Sequence, residues 1–484
     1  MTRSTTVLKI LGILLVLSSL TQLPPLLISY FSKDGIWFAF AYSAVISLVL
    51  GLLLWWPNQK KKSELRFRDG FLVVVLIWLV LSLMASLPFA LADSVRLSWV
   101  DSIFEAVSGL TTTGATVLTG IDDLPISLLY YRQQLQWLGG MGIIVLAVAV
   151  MPMLGVGGMQ LYRAETPGPV KDNKLTPRIT ETAKALWYIY LGLTVVCALG
   201  YYIAGMTLFD AISHAYSTVA IGGFSTHDAS LGYFQSNAVY LVAVVFMLLS
   251  SLNFALHFAA IRSRRVSIYL KDSEARIQFL LGALAFLFCI WILSRFEVFD
   301  SFAETAMQSL VQVVSIGTTT GFTTTDFATW PLFLPVLLIL LSTGGGCAGS
   351  TAGGMKMIRV ILLFKQGARE ISKLVHPNAL IPIKLGGKPV PENVINAVWG
   401  FLSLYLISDV VLLVLMLGTG ADILTAFSAV SACLNNLGPG LGDVAQNYSS
   451  ITDAGKLILS FTMLLGRLEL YTLLVLLTPV FWKI

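Results

Sequence analysis

Four short stretches put a glycine just after hydroxyl, amide or small side chains, each behind an apolar segment of about a dozen residues. Residues 101–116 read DSIFEAVSGLTTTGAT, 210–225 DAISHAYSTVAIGGFS, 308–323 QSLVQVVSIGTTTGFT and 425–440 TAFSAVSACLNNLGPG. Aligned without gaps on Gly114, Gly223, Gly321 and Gly438, they place Ser108, Ser217 and Ser315 six residues before the glycine, with Ala432 in the fourth. Asp101 and Asp210 both fall thirteen before it. The fourth stretch can also register on Gly440. Gly438 is preferred because TAFS then overlays DAIS, and Asn435 and Asn436 take the places of paired threonines.

Glycine adopts φ > 0 at little cost, so successive carbonyls around it can face one side. Such carbonyls can replace the water around a dehydrated ion. A half-helix leading into the turn aims the negative end of its dipole at the same place. The turn cores TTTG, AIGG, TTTG and NNLG hold no carboxylate, whereas a divalent site would normally offer Asp or Glu oxygens. These residue types point to a monovalent alkali cation held by main-chain oxygen. The plainer alternative is a tight turn between helices at each glycine. One stretch alone leaves the two readings level; four with one layout favour the first.

The elements that must position these turns follow from composition. The chain has 484 residues, 56% hydrophobic and 12% charged, with mean hydropathy +0.81. A soluble domain would carry about twice that charged fraction. Uncharged windows of membrane-spanning length predict ten spans, near 7–31, 36–56, 70–92, 126–151, 184–206, 236–261, 277–296, 331–365, 395–417 and 456–481. The basic start and apolar run at 1–31 read as an uncleaved first helix rather than a signal peptide. Of 31 Lys and Arg, 25 lie at the termini or in 57–69, 161–184, 262–276 and 356–388. The positive-inside rule then puts these segments and both termini in the cytoplasm and all four glycine stretches outside. The net charge of +5 is a topogenic signal and suggests no nucleic-acid partner.

A dozen helical residues reach about half of the ~30 Å hydrocarbon core, so each stretch predicts a half-helix that re-enters on the side it came from. Irregular backbone at that depth needs protein cover or water. The resulting plan is span, half-helix, glycine loop, span, in four units: 70–160, 161–270, 271–388 and 389–484. Residues 1–69 add two extra N-terminal transmembrane helices.

Residues 342–356, STGGGCAGSTAGGMK, interrupt the eighth span with Gly344, Gly345, Gly346, Gly349, Gly353 and Gly354. A continuous helix there is disfavoured by ~1 kcal/mol per glycine. The segment lacks the GK[ST] ending of a phosphate-binding loop and is flanked by helix, not strand. A flexible intramembrane loop (343–355) under the turns is the better reading. Arg467, in SFTMLLGRLELYTLL, is a charge at mid-span and is expected to face the pathway rather than snorkel to an interface. Glu469, two residues on, points to another side of the helix. The glycine-rich second span of the first unit, 136–160, is assigned to close helix packing.

Cys197, Cys289, Cys347 and Cys433 are far apart in apolar segments and form neither a disulfide framework nor a zinc site. His214, His227, His257 and His376 never pair at metal-ligand spacing. An intramembrane hydrolase using Ser350 with His214 or His257 would leave the four-fold layout unexplained. A proton- or sodium-coupled symporter would need a titratable group at mid-membrane, for which Glu469 is the candidate.

At these residues the sequence resembles the Trk/Ktr/HKT superfamily of potassium transporters, over nearly the whole chain. The resemblance implies an all-α integral membrane fold: four fused M1–P–M2 units, like those of potassium channels, around a pseudo-four-fold pore. It implies a selectivity filter in which Thr111, Thr112, Ala220, Ile221, Thr318, Thr319, Asn435 and Asn436 offer backbone oxygens to K+, with Gly114, Gly223, Gly321 and Gly438 as filter glycines. The fourth strand, NNLGPG, departs from the other three. In plant relatives a serine at the first filter glycine goes with sodium transport, so Gly114 argues for potassium. The glycine loop and Arg467 would form a gate. The family further implies a bacterial inner-membrane location, a homodimer and a cytosolic RCK-type nucleotide-binding regulator (TrkA-like). The chain has no nucleotide fingerprint, so no cofactor is expected within it; K+ is the substrate and nucleotide would act through the partner, docked on 161–184, 262–276 and 356–388.

Overall fold

The computed structural model describes residues 3–59, 67–95, 97–149 and 179–483. Among them, six helices are long and apolar enough to cross a membrane: Thr5–Ser32, Trp37–Asn58, Asp69–Leu91, Ala183–Ile203, Ser273–Arg295 and Glu392–Gly418. Two further spans are broken. Asn237–Ser250 and Phe254–Ser263 meet at 97°, and Asp453–Arg467 and Tyr471–Leu477 at 118°. Helix Ile126–Ala149 occupies the expected span at 126–151. The basic residues from Lys60 to Arg66 and from Arg163 to Arg178, and the end of the glycine-rich segment 136–160, lie outside the described residues.

The span expected at 331–365 is not one helix. Leu334–Ser342 has nine residues, the glycine loop follows, and Met357–Val375 is a separate helix. Gly345, Gly349 and Gly354 have φ of 57°, 74° and 71°, which a continuing right-handed helix excludes. A two-residue hairpin, Lys384–Leu385 against Lys388–Pro389, is the one strand pairing among the described residues.

Four shorter helices precede the glycine stretches: Trp99–Leu110, Leu208–Ala220, Phe302–Gly317 and Ile423–Leu434. Their starts are fixed by side-chain caps. The Ser98, Thr207 and Ser301 hydroxyls accept from the N–H of Asp101, Asp210 and Glu304, and Asp422 accepts from Leu424 and Thr425. Ser98 and Thr207 also donate to the carboxylates of Asp101 and Asp210, at 2.8 and 2.7 Å. Each cap satisfies an orphan N–H for about 1 kcal/mol. The recurrence of Asp101 and Asp210 reflects this shared cap, each carboxylate accepting from the capping hydroxyl.

The first and fourth short helices share a core through Phe104, Val430, Leu459 and Met463. The second, through Ala215, joins a core with Tyr190 and Phe254, and the third, through Ile316, one with Leu338. Long helices turn Leu199, Leu284, Leu287, Leu406, Ile407 and Val410 outward, as a lipid-facing surface requires. The N-terminal pair packs closely: a Cβ on Gly12 would stand 2.7 Å from the Gly51 carbonyl.

Candidate ion pathway: four glycine turns and the loop beneath them

Each short helix ends in the same way. The N–H of Thr113, Gly222, Thr320 and Leu437 donates to the carbonyl five residues back, on Ser108, Ser217, Ser315 and Ala432, at 2.9, 2.8, 2.7 and 2.8 Å. That carbonyl is the common element, which explains why alanine serves in the fourth copy. Two residues before each glycine the chain enters the left-handed region: Thr112, Ile221, Thr319 and Asn436 have φ of 53°, 54°, 66° and 52°. Gly114, Gly223, Gly321 and Gly438 follow at 84°, 79°, 87° and 93°. Three of the four left-handed residues are β-branched, at a cost of about 1–2 kcal/mol each. Such strain persists only where the surroundings over-determine it. Asn436 and Gly438 reproduce both signatures, and Gly440 has no positive φ, so the fourth stretch registers on Gly438 in backbone conformation.

The turns meet in a closed circuit. A Cβ on Gly114 would lie 2.1 Å from the Gly222 carbonyl, on Gly223 2.1 Å from that of Thr320, on Gly321 2.2 Å from that of Leu437, and on Gly438 2.6 Å from that of Thr113. Each glycine thus abuts the next turn, and the fourth returns to the first. Lys456 Nζ bonds Asp101 at 2.6 Å, tying the last span to the first short helix.

Side chains hold the turns from behind. Thr111 and Thr113 share a 2.7 Å hydroxyl bond, and Thr318 and Thr320 one of 2.8 Å. Asn436 Nδ2 donates to Thr113 Oγ1 at 3.0 Å and to the Met463 carbonyl at 2.9 Å. Tyr448 donates to the Gly438 carbonyl at 2.7 Å, and Tyr405 to Asn435 Oδ1 at 2.6 Å. A buried ion pair that the sequence reading passed over lies between the first two turns: Arg132 Nε meets Glu105 Oε1 at 2.8 Å. Arg132 also donates to the Ser225 carbonyl at 3.0 Å and to Thr116 Oγ1 at 3.2 Å, and stacks over Phe224 at 4.2 Å. Glu105 further accepts from Thr116 Oγ1 and Val117 N. A lone arginine and a lone glutamate 27 residues apart gave no pattern to read.

The glycine loop lies against the inner ends of three turns. Gly353 N donates to Thr319 Oγ1 at 2.7 Å, Gly354 N to the Asn435 carbonyl at 3.0 Å, and Thr351 Oγ1 to the Val219 carbonyl at 3.0 Å. A Cβ on Gly353 would stand 1.9 Å from the Asn435 carbonyl. That carbonyl therefore faces the loop. Both broken spans hold the loop. Cys347 N donates to the Ser251 carbonyl at 2.8 Å, and both terminal nitrogens of Arg467 donate to the Thr351 carbonyl at 3.2 Å. Glu469 pairs not with Arg467 but with Arg359 Nη2, at 2.7 Å. Gly344 and Gly346 lie within the same loop, Gly346 packed against the Ser251 carbonyl.

On the other side of the circuit a cavity of about 450 Å³ opens, lined by the four glycines, Arg132, His227, Asp228, Asp326 and Tyr448 among others. At its rim the Asp122 and Asp228 backbones and carboxylates bond each other, and His227 Nδ1 meets Asp122 at 2.5 Å and Nε2 meets Asp210 at 3.5 Å. Burial alone would lower the His227 pKa, but hydrogen bonds and charge from Asp210 and Asp122 outweigh it and raise it. Burial would raise that of Asp122, yet the His227 and Asp228 contacts hold it down.

Other expected residues are placed apart. Ser350 Oγ donates to the Cys347 carbonyl, His257 bonds Tyr269 and Leu249, and His214 bonds Asp210 and Ser225. Neither histidine serves Ser350, so the hydrolase arrangement is not formed. The four cysteines are buried and free. Arg359, Lys356 and Arg369, counted as docking residues, are buried; Lys356 bonds carbonyls of the loop and Arg369 pairs with Glu392. Arg262, Arg264, Arg265, Lys271, Arg276, Lys365, Lys384 and Lys388 remain exposed.

The TrkH family model, a cation transport protein, matches residues 37–483. The chain is 56% identical over 479 residues to the Trk system potassium uptake protein TrkH of Vibrio parahaemolyticus, covering 99% of each. It is 53% identical over 479 residues to the protein of the same name from Escherichia coli K12, covering 98% of each. The crystal structure of the potassium transporter TrkH from V. parahaemolyticus superposes with a TM-score of 0.92 at 53% identity, covering 99% of both chains.

Proposed function

Because this chain belongs to the TrkH family of cation transport proteins, we propose that it is the membrane subunit of a Trk-type potassium uptake system in the bacterial inner membrane. K+ passes through a channel-like pore with a selectivity filter and a gate. The observation that carries this reading is the closed circuit of four glycine turns between an outer cavity and an inner loop. In it, residues 70–160, 161–270, 271–388 and 389–484 are M1–P–M2 units, and 1–69 contribute the extra helices. Carbonyls of Thr111, Thr112, Ala220, Ile221, Thr318, Thr319, Asn435 and Asn436 hold the ion, and the loop 343–355 with Arg467 is the gate. Both termini are cytoplasmic, the chain works as a homodimer, and an RCK-type regulator bringing its own nucleotide docks on the exposed basic residues.

A coupled symporter needs an intramembrane carboxylate free to exchange protons. Glu469 is engaged by Arg359, which favours the channel-like reading. Asp409, within Glu392–Gly418, is the other carboxylate to test; flux through Asp409→Asn should keep its parent pH profile, and a lost pH dependence would favour symport.

The test is K+ flux into liposomes carrying the purified protein, with Gly114, Gly223, Gly321 and Gly438 each changed to Ser. Besides the left-handed strain, a Cβ at each would collide with the next turn's carbonyl at 2.1–2.6 Å and force the circuit apart, so flux should fall roughly tenfold or more in each. Parent flux in all four overturns the filter. Arg467→Ala frees the Thr351 carbonyl and should raise flux measured without a regulator; unchanged flux removes Arg467 from the gate.

A further inference from the structure

The second turn is the one whose core, AIGG, carries no hydroxyl or amide. Where the first and third turns pair Thr111 with Thr113 and Thr318 with Thr320, it has Ala220 and Gly222. The space beside Gly222 is filled from another unit. A Cβ on Gly222 would stand 2.4 Å from Gln136 Cδ. Gln136 Nε2 donates to the Gly222 carbonyl at 2.6 Å, and Gln136 Oε1 accepts from Phe224 N at 3.1 Å. The side chain is wholly buried, and its two bonds straddle the filter glycine Gly223. A neutral amide is suited to this, since it offers a donor and an acceptor on one planar group. Gly222, unlike Gly223, has no positive φ, so the backbone itself does not demand glycine there; Gln136 does.

We propose that Gln136 is a positioning residue for ion selectivity: its amide replaces the threonine hydroxyls missing from the second turn and fixes the peptides on both sides of Gly223, so that discrimination of K+ from Na+ depends on it. The inference rests on the filter reading above. Whether selectivity comes from cavity size or from the field of the carbonyls, both require the strand to keep its orientation.

The experiment measures K+ and Na+ flux separately in liposomes with the full-length protein. Gln136→Leu keeps the bulk and removes both bonds; the K+ to Na+ ratio should fall by roughly tenfold, as the loss of two buried hydrogen bonds implies. Gln136→Glu keeps the acceptor and, read in alkaline buffer where the carboxyl is ionised, loses the donor, and should lower the ratio there as well. Gly222→Ser should fail to give folded protein alone but be accepted with Gln136→Ala, recovering part of the ratio lost in Gln136→Ala. Should Gln136→Leu not fold, the Glu variant and the double variant decide. A parent ratio in the folded Gln136 variants overturns the proposal. Gly223→Ser separates the two readings: if it alters the ratio while the Gln136 variants do not, the filter stands and only the role of Gln136 falls; if it leaves the ratio unchanged, the filter reading fails and this inference with it.

Discussion

In the first and third turns, threonine pairs within the turn, Thr111 with Thr113 and Thr318 with Thr320, brace the strand. In the second and fourth, the same backbone is braced from outside, by Gln136 on one and by Tyr405 and Tyr448 on the other, while Asn436 of the fourth turn reaches across to Thr113 of the first. The φ values of the four left-handed residues nevertheless agree within 14°. Backbone shape, rather than any side-chain set, is thus what the four copies share. The difference also says where the circuit is vulnerable: the third turn, whose threonine pair bonds only within it, fails alone, whereas a turn bonded across to another unit fails with its neighbour. The seam between turns one and two carries the heaviest demand, because Arg132 and Glu105 are both buried there.

That seam is where the largest effect is expected. Glu105→Gln removes the charge facing Arg132 and leaves a buried guanidinium uncompensated, at a cost of about 3–5 kcal/mol. The purified variant should melt many degrees lower in detergent, or not accumulate as folded protein. Parent stability would mean that turns one and two are not coupled through this pair. A smaller loss is expected when the bracing hydroxyls are removed singly, about 0.5–1.5 kcal/mol each. Thr318→Val should disturb only the third turn. Tyr448→Phe frees the Gly438 carbonyl, and because the Tyr448 backbone N–H also bonds the Thr116 carbonyl at 2.8 Å, its effect should be non-additive with changes in the first turn. A double cycle of Tyr448→Phe with Thr113→Val, read as K+ flux and melting temperature, distinguishes the two; strict additivity would erase the contrast between self-braced and neighbour-braced turns.

The legibility of the molecule from its sequence divides along the same line. Half-length apolar segments, their glycines and the six-glycine interruption are local in the chain, so hydropathy and residue type reveal them. The braces that cross between units are not local. Gln136 lies 86 residues from Gly222, and Asn436, legible as part of the fourth turn, gave no sign of its bond to Thr113 323 residues away. The doubled glycine of AIGG was the one visible trace, since the second glycine is where a side chain from elsewhere intrudes. Similarly, Lys356, Arg359 and Arg369 look like any basic cytoplasmic run, and only packing separates them from the exposed lysines at 365, 384 and 388. The break at Glu469 and Leu470, where two non-glycine residues take φ of 54° and 49°, had no turn residue to announce it.

The smallest expected effect tests whether the outer loops share the coupling of the turns below them. His227 bridges Asp122 of the first unit and Asp210 of its own, and these carboxylates raise its pKa above the ordinary imidazole value against the opposing effect of burial. A group whose folded pKa is raised stabilises the fold fully below its unfolded pKa, near ~6.5, and that contribution is lost as pH rises through the folded value. The parent should therefore lose a little melting temperature between mildly acid and alkaline buffer, in the window just above neutral imidazole titration. His227→Gln should flatten that slope while leaving K+ flux at alkaline pH unchanged, because the imidazole is neutral there in the parent too. A slope that survives the substitution would assign the pH dependence elsewhere, and the seam between units one and two would then be held by Arg132 and Glu105 without help from the rim.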